Sequence, residues 1–411
     1  MSDRRLRLGA LSAVAALLLA GCSAGTSTDS AGGAAAGPSQ GADGPAAPSV
    51  QLEPVEQSDV EPTPSALLLK LDDPLLPAPL VDPARVVSGG PPPDGIPPVD
   101  EPRFLAPDDV PWLTDDEPVI ALSVGDEHRA YPVQVMVWHE IVNDTVAGRP
   151  VSVTYCPLCN SALAFDRRLG ERLLTFGTSG KLYLSDLVMY DRQTESLWSQ
   201  IEGRAVAGVL AGEELERIPV QTVSFSQWRD AHPDGWVLSR DTGATRDYGR
   251  TPYVGYDEAT SEPFLFDGDA DPRLDVKARV LGLGDPDDPV AVPLSALSRS
   301  RVLEVQVAGE DVVLWAGEGL RSALDTADIA EGRELATTGA FSPVVEGRGL
   351  TFRAEGPQSF VDDQTGSTWD VLGRAVSGPL TGTQLEATGH LDTFWFAWAA
   401  FHPETRLVDG S

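Results

Sequence analysis

An apolar run from Leu8 to Ala20 follows a short basic stretch containing Arg4, Arg5 and Arg7. The run is too short to span a bilayer as a mature helix, but it has the length of the hydrophobic region of an export signal. From Ser23 to about Pro98 the pattern changes to Ala, Gly, Ser, Pro and acidic residues with few aromatics. Such a stretch buries too little apolar surface to offset chain entropy, so a disordered tether is expected over 23–98. Beyond it the pattern turns β-like. Pro118 to Val124, Pro150 to Tyr155, Ala162 to Leu169 and Arg172 to Phe176 are short β-rich runs separated by turns, with Gly170-Glu171 as a hairpin loop. Short helices are predicted at Pro132 to Trp138 and at Ser226 to Ala231, the second stopped by Pro233. The expected class is β-rich α+β.

The chain also matches itself. Met189 to Trp198 aligns with Phe360 to Trp369, Gly203 to Gly208 with Gly373 to Gly378, and His232-Pro233 with His402-Pro403. Upstream, Val142 to Tyr155 parallels Leu303 to Trp315, and Ala162-Leu163 parallels Ala323-Leu324. A duplication of this period predicts two tandem similar domains, 99–274 and 275–411, rather than a solenoid.

Groups kept in both copies read as structural, and groups in one copy as candidates for chemistry. Asp191, Gln193, Thr194 and Trp198 recur, and they read as a turn with a core tryptophan. His232 and His402 share a His-Pro context and read as packing or capping residues. His139, Cys156, Cys159, Met189 and Gly177-Thr178-Ser179-Gly180 belong to the first copy alone. There Tyr155-Cys156-Pro157-Leu158-Cys159 aligns with Trp315-Ala316-Gly317-Glu318-Gly319, without either thiol.

The Cys-Pro-Leu-Cys spacing allows a disulfide, a redox-active pair or a metal chelate. A thioredoxin-like site needs a helix starting at the first cysteine to lower its pKa. Here strands are expected on both sides, which is the setting of a metal knuckle. With one cysteine pair, further ligands must come from His139, Met189 or carboxylates. A sulfur-rich set with Met189 suits copper, and Cys2His with an open position suits zinc. The competing readings are a thiol-disulfide oxidoreductase using Cys156 and Cys159, with His139 as base, and a non-catalytic binding or scaffold module with a structural disulfide.

Leu19-Ala20-Gly21-Cys22 ends the apolar leader in the order of a lipobox, which makes Cys22 the expected lipidation site. The protein is therefore expected on the outer face of the cytoplasmic membrane, held by acyl chains. Asp and Glu number 62 against 30 Lys and Arg, a net charge of -32, so nucleic acid is not an expected partner.

Four segments carry a family resemblance. His139-Glu140-Ile141-Val142-Asn143-Asp144, Val153 to Cys159, Phe176 to Gly180, and Asp186 to Thr194 followed by Ser196-Leu197-Trp198 resemble the bacterial domain-of-unknown-function 3179 (DUF3179) family over about 104–275. The resemblance places His139, both cysteines, Ser179, Asp186, Met189 and Arg192 among motif positions, with Glu140 beside them. It supplies no reaction. The second copy departs from the pattern at His139 and at each thiol, which points to a supporting role for it.

Changing Cys22 to Ala is expected to move the protein from the membrane fraction to the soluble fraction without unfolding it. A variant still sedimenting with membranes after a salt wash would contradict the anchor.

Overall fold

The computed structural model describes residues 63–284 and 286–409, so the leader, Cys22 and the expected tether up to residue 62 lie outside the described residues. The first half builds three sheets of four or five strands. One has the order Val220–Ser224, Pro118–Val124, Glu127–Pro132, Trp236–Leu238, Phe104–Leu105. The second runs Arg217–Ile218, Ser161–Asp166, Arg149–Cys156, Ile141–Val146, and the third Val86–Ser88, Phe176–Tyr183, Asp186–Asp191, Leu197–Ser199, Arg204–Ala207. In the second half the corresponding orders are His390–Phe394, Arg279–Leu283, Val290–Pro293, Arg406–Leu407, then Val302–Val307, Glu310–Arg321, Glu334–Phe341, and Phe352–Gly356, Ser359–Asp362, Thr368–Asp370, Ala375–Ser377. The helices Val133–His139 and Phe225–Ala231 correspond in chain order to Leu294–Ser300 and Trp395–Phe401. The fold is β-rich with few helices, as the alternation of apolar residues implies.

Local chemistry explains the elements. Helix Phe225–Ala231 starts at a capping box, with Ser224 and Gln227 each satisfying the other's backbone N–H. Gly170, at a φ of 59°, turns the hairpin in which Arg168–Leu169 pairs with Arg172–Leu173. The Asp-x-x-Thr-x-x-x-Trp pattern has the same physical meaning in both halves. The Asp191 carboxylate accepts from Thr194 N at 2.6 Å and Trp198 Nε1 at 3.0 Å, and that of Asp362 from Thr365 N at 2.5 Å and Trp369 Nε1 at 3.0 Å. Gln193 and Gln364 accept from the backbone N–H of Thr175 and Thr351 at 2.8 and 2.9 Å. His232 stacks on His128, with ring centroids 3.8 Å apart.

The expected division into 99–274 and 275–411 does not give two separate cores. Val119, Val223, Phe225 and Trp228 of the first half pack into one cluster with Trp315, Phe341, Phe360 and Trp369 of the second. Conversely, Leu391, Phe394, Trp395 and Trp398 of the second half share a cluster with Cys156, Phe165, Phe176, Met189 and Trp198 of the first. Each half thus supplies a sheet edge and a short helix that fill the interior of the other.

Strand register also corrects the self-alignment. Ile141 pairs with Thr154, and Val302 with Trp315. Cys156 therefore corresponds to Gly317, one residue beyond the Ala316 of the sequence alignment. No turn stands there, because Glu310–Arg321 continues as a strand with a bulge between Gly317 and Leu320. The two strands that a four-residue turn joins in the first half are joined in the second by a longer excursion, 322–333, so Ala323-Leu324 is not the structural counterpart of Ala162-Leu163. Where the first half has Thr154 and Met189, the second is filled by Trp315 stacked on Phe360 at 4.4 Å.

The tether expectation fails over 63–98. Ala66, Leu71 and Leu76 are buried against Val188, Leu197 and Val206, and Val86–Ser88 pairs with Tyr183 to Lys181. Leucines in this Pro-rich stretch supply apolar area that its average composition conceals. The glycines of Phe176-Gly177-Thr178-Ser179-Gly180 have their reason here. A Cβ at Gly177 would strike Asp94, and one at Gly180, whose φ is 72°, would strike the Pro91 carbonyl.

Because the cores are shared, urea unfolding followed by tryptophan fluorescence is expected to give one transition covering both halves. Trp228→Ala should lower stability by roughly 3–5 kcal/mol within that single transition. Two resolved transitions, one unaffected by the substitution, would contradict the interlocked core.

Candidate metal centre

The strand Arg149–Cys156 ends on Cys156, which pairs with Ser161 across the turn 157–160. Asn160 closes the turn at a φ of 52°, a conformation that asparagine tolerates better than most residues. The strand Ser161–Asp166 follows at once, so no helix begins at either cysteine. Both cysteines are free, and Cys156 and Cys159 are 1% and 0% exposed.

A second tight turn meets this knuckle. Tyr183 pairs with Asp186 across Leu184 and Ser185, which both lie in the left-handed region at φ of 55° and 70°. That is the geometry of a two-residue hairpin turn normally made by Asn-Gly, so two side-chain-bearing residues hold it against steric cost. The Ser185 carbonyl lies 3.9 Å from Cys156 Sγ and 3.6 Å from Cys159 Sγ. The next residue, Asp186, is fully buried, and its carboxylate forms a group with both sulfurs in which all ligand atoms lie within 4.8 Å of one another. Asp186 Oδ2 accepts from Ser199 Oγ at 3.2 Å and Ile201 N at 3.1 Å, whereas Oδ1 is buried without a hydrogen-bond partner.

An orphaned carboxylate oxygen beside two thiols is costly in an apolar interior. Burial pushes the Asp186 pKa up to about 8. The Cys159 thiol is raised as well, by burial first and then by Cys156 and Asp186. Glu140 caps helix Val133–His139 at a φ of 59° and is pushed up to about 8, by burial and then by the nearby Asp186 charge. Two buried sulfurs and a carboxyl therefore converge here, with burial favouring their protonated forms.

The second half and the connecting segment close the site. The Cys159 carbonyl accepts from Thr393 Oγ1 at 2.7 Å and Phe394 N at 3.0 Å. Ser185 Oγ donates to the Phe264 carbonyl at 2.6 Å. The Tyr253 hydroxyl is raised in pKa by burial, then by Glu140 and Cys156, and Tyr253 packs against the cluster that contains both cysteines.

The structure does not bring all the expected ligands together. His139 is outside the group. Its Nδ1 is 2.6 Å from the Pro97 carbonyl and its Nε2 is 2.7 Å from Tyr248 Oη, so both ring nitrogens are engaged elsewhere. Met189 is fully buried in the cluster that contains the cysteines, on the strand that begins at Asp186. Ser179 donates to the Val188 carbonyl and accepts from Lys181 N at 3.0 Å, shaping the bulge between Thr178 and Lys181. Arg192 donates to Asp100 at 2.9 Å and Asp94 at 3.2 Å, clamping the N-terminal segment. Asp186, named from the motif only as a supporting residue, is the third member of the group. Ser185, Tyr253 and Thr393 carry no signal in the sequence pattern.

The family model described as Protein of unknown function (DUF3179) matches residues 93–405. The match covers both halves, beyond the 104–275 suggested by the motifs. No curated protein and no solved structure matches the chain.

With Cys22 replaced by Ala, a thiol reagent is expected to titrate two groups after unfolding and to react slowly with the native chain. Rapid native labelling of either cysteine would contradict the closed site.

Proposed function

The chain belongs to this family of proteins of unknown function, DUF3179, and we propose that it is an exported, membrane-anchored lipoprotein that sequesters a metal ion at Cys156, Cys159 and Asp186. The observation that carries the reading is the buried Asp186 carboxylate, whose Oδ1 has no hydrogen-bond partner, grouped with two thiols that form no disulfide. A divalent cation would give that oxygen a partner and replace the long thiol contacts to the Ser185 carbonyl with metal–sulfur bonds. First-shell bonds of about 2.0–2.3 Å put tetrahedral ligand atoms roughly 3.3–3.8 Å apart, so a group whose ligand atoms lie within 4.8 Å of one another needs a contraction of at most about 1.5 Å to close on an ion.

The donor set favours zinc. Two thiolates with a carboxylate suit a borderline-soft ion, while copper(I) would be better served by a set in which Met189 replaced the carboxylate. The Ser185 carbonyl, 3.6 and 3.9 Å from the two sulfurs, would supply a fourth ligand atom. With all three residues at 1% exposure or less, the site suits holding an ion more than activating water on it. The same burial weighs against the thiol-disulfide oxidoreductase, since exchange needs an attacking thiol to reach a sulfur. Lipidation at Cys22 would provide the membrane attachment; among the described residues no helix is long and apolar enough to cross a membrane. The parallel element orders support descent of the two halves from one duplicated unit, of which the first kept the thiols and the second became its cover.

Elemental analysis of the purified Cys22→Ala chain is expected to find about one zinc per molecule, falling at least roughly tenfold in Cys156→Ser and Asp186→Asn. Folded variants that keep their full metal content would sink the assignment, as would a wild-type chain that binds no metal after reconstitution.

A further inference from the structure

Where the segment 239–278, which connects the two halves, meets the second half, a cleft of about 710 Å³ opens between Asp257, Lys277, Arg333 and an apolar wall of Pro293, Leu294 and Leu335. Two charged groups line it while almost wholly buried: Asp257 is 3% exposed and Lys277 2%. Asp257 Oδ2 is paired with Arg333 Nη2 at 2.7 Å and accepts from Ser322 Oγ. Its Oδ1 is buried with no hydrogen-bond partner. Lys277 Nζ donates to the Tyr256 carbonyl at 2.8 Å and to Ser261 Oγ at 2.9 Å, and sits 3.6 Å from the centre of the Tyr256 ring. Both hydrogen bonds go to neutral oxygens, and an ammonium carries a third donor.

The lining of the cleft therefore holds one carboxylate oxygen without a hydrogen-bond partner and one ammonium whose hydrogen bonds go to neutral oxygens. A buried acceptor without a donor is costly, and an ammonium bonded to neutral oxygens still attracts an anion, so a fitting occupant brings a donor and an anion together. An amine alone would leave Lys277 unmatched, and an anion alone would leave the Asp257 oxygen unmatched. A dianion would also meet the field of a chain of net charge -32, which a zwitterion does not feel at long range.

We infer that this cleft binds a free α-amino acid with an apolar side chain. Its ammonium donates to Asp257 Oδ1, its carboxylate accepts from Lys277 and Arg333, and its side chain lies along Pro293, Leu294 and Leu335. The site uses none of the thiol ligands, so it stands or falls independently of the metal.

The test is thermal denaturation and titration calorimetry of the full-length chain with each of the twenty L-amino acids, and with isocaproate and isoamylamine as partial analogues. Leucine or a similar apolar amino acid is expected to raise the melting midpoint by about 2 °C at saturating concentration. Neither analogue should do so. Asp257→Asn and Lys277→Met, each checked for native circular dichroism, are expected to weaken binding roughly tenfold or more. The inference is overturned if no amino acid shifts the midpoint, if isocaproate or isoamylamine binds as tightly as leucine, or if the folded variants bind like the wild type. Should both variants fail to fold, the wild-type comparison of leucine with its two analogues decides alone.

Discussion

The strand that carries Cys156 cannot bury its apolar face within its own half of the chain. Phe394, Trp395 and Trp398, more than two hundred residues downstream, share its cluster, while Trp228 from the first half fills the corresponding place around Trp315 and Phe360. This exchange of aromatic side chains is the constraint on which the rest depends. It fixes where the strand His390–Phe394 lies, and that strand holds the Cys159 carbonyl through Thr393 and Phe394. The knuckle is thus set by contacts of very long sequence separation.

That separation explains what could be read from the sequence and what could not. Periodicity gave Pro118–Val124 its limits and the two helices theirs to within a residue or two, because those depend on local alternation, prolines and capping. The Gly170 hairpin and the Asp191 turn were equally legible, since glycine and aspartate act on their own neighbours. The interlocking was not, because nothing local in Trp395 says which core it fills. Residues 63–98 were misjudged for a related reason: Leu71 and Leu76 matter through partners more than a hundred positions away, not through the average composition around them.

The candidate site divides in the same way. Cys156 and Cys159 were visible from spacing and from the absence of cysteine at the aligned positions of the second half. Asp186 was visible only as a motif position, because its role comes from a strained turn, Leu184-Ser185, that no Gly or Asn announces. His139 shows the reverse error. It has the right chemistry and lies close in sequence, but the Pro97 carbonyl and the Tyr248 hydroxyl take both of its nitrogens.

What remains is a concentration of buried acids and thiols that is hard to account for without a cation. Asp186 and Glu140 are both held near pKa 8 by burial, and their charges oppose one another. A divalent ion would reverse the balance by favouring the ionised forms, which couples metal binding to proton release and to cohesion between the halves. The most direct measurement is X-ray absorption at the zinc edge of the reconstituted chain. The account predicts two sulfur scatterers at about 2.3 Å and oxygen scatterers at about 2.0–2.2 Å, without an imidazole shell. A spectrum with no sulfur in the first shell, or with histidine as a ligand, would contradict it.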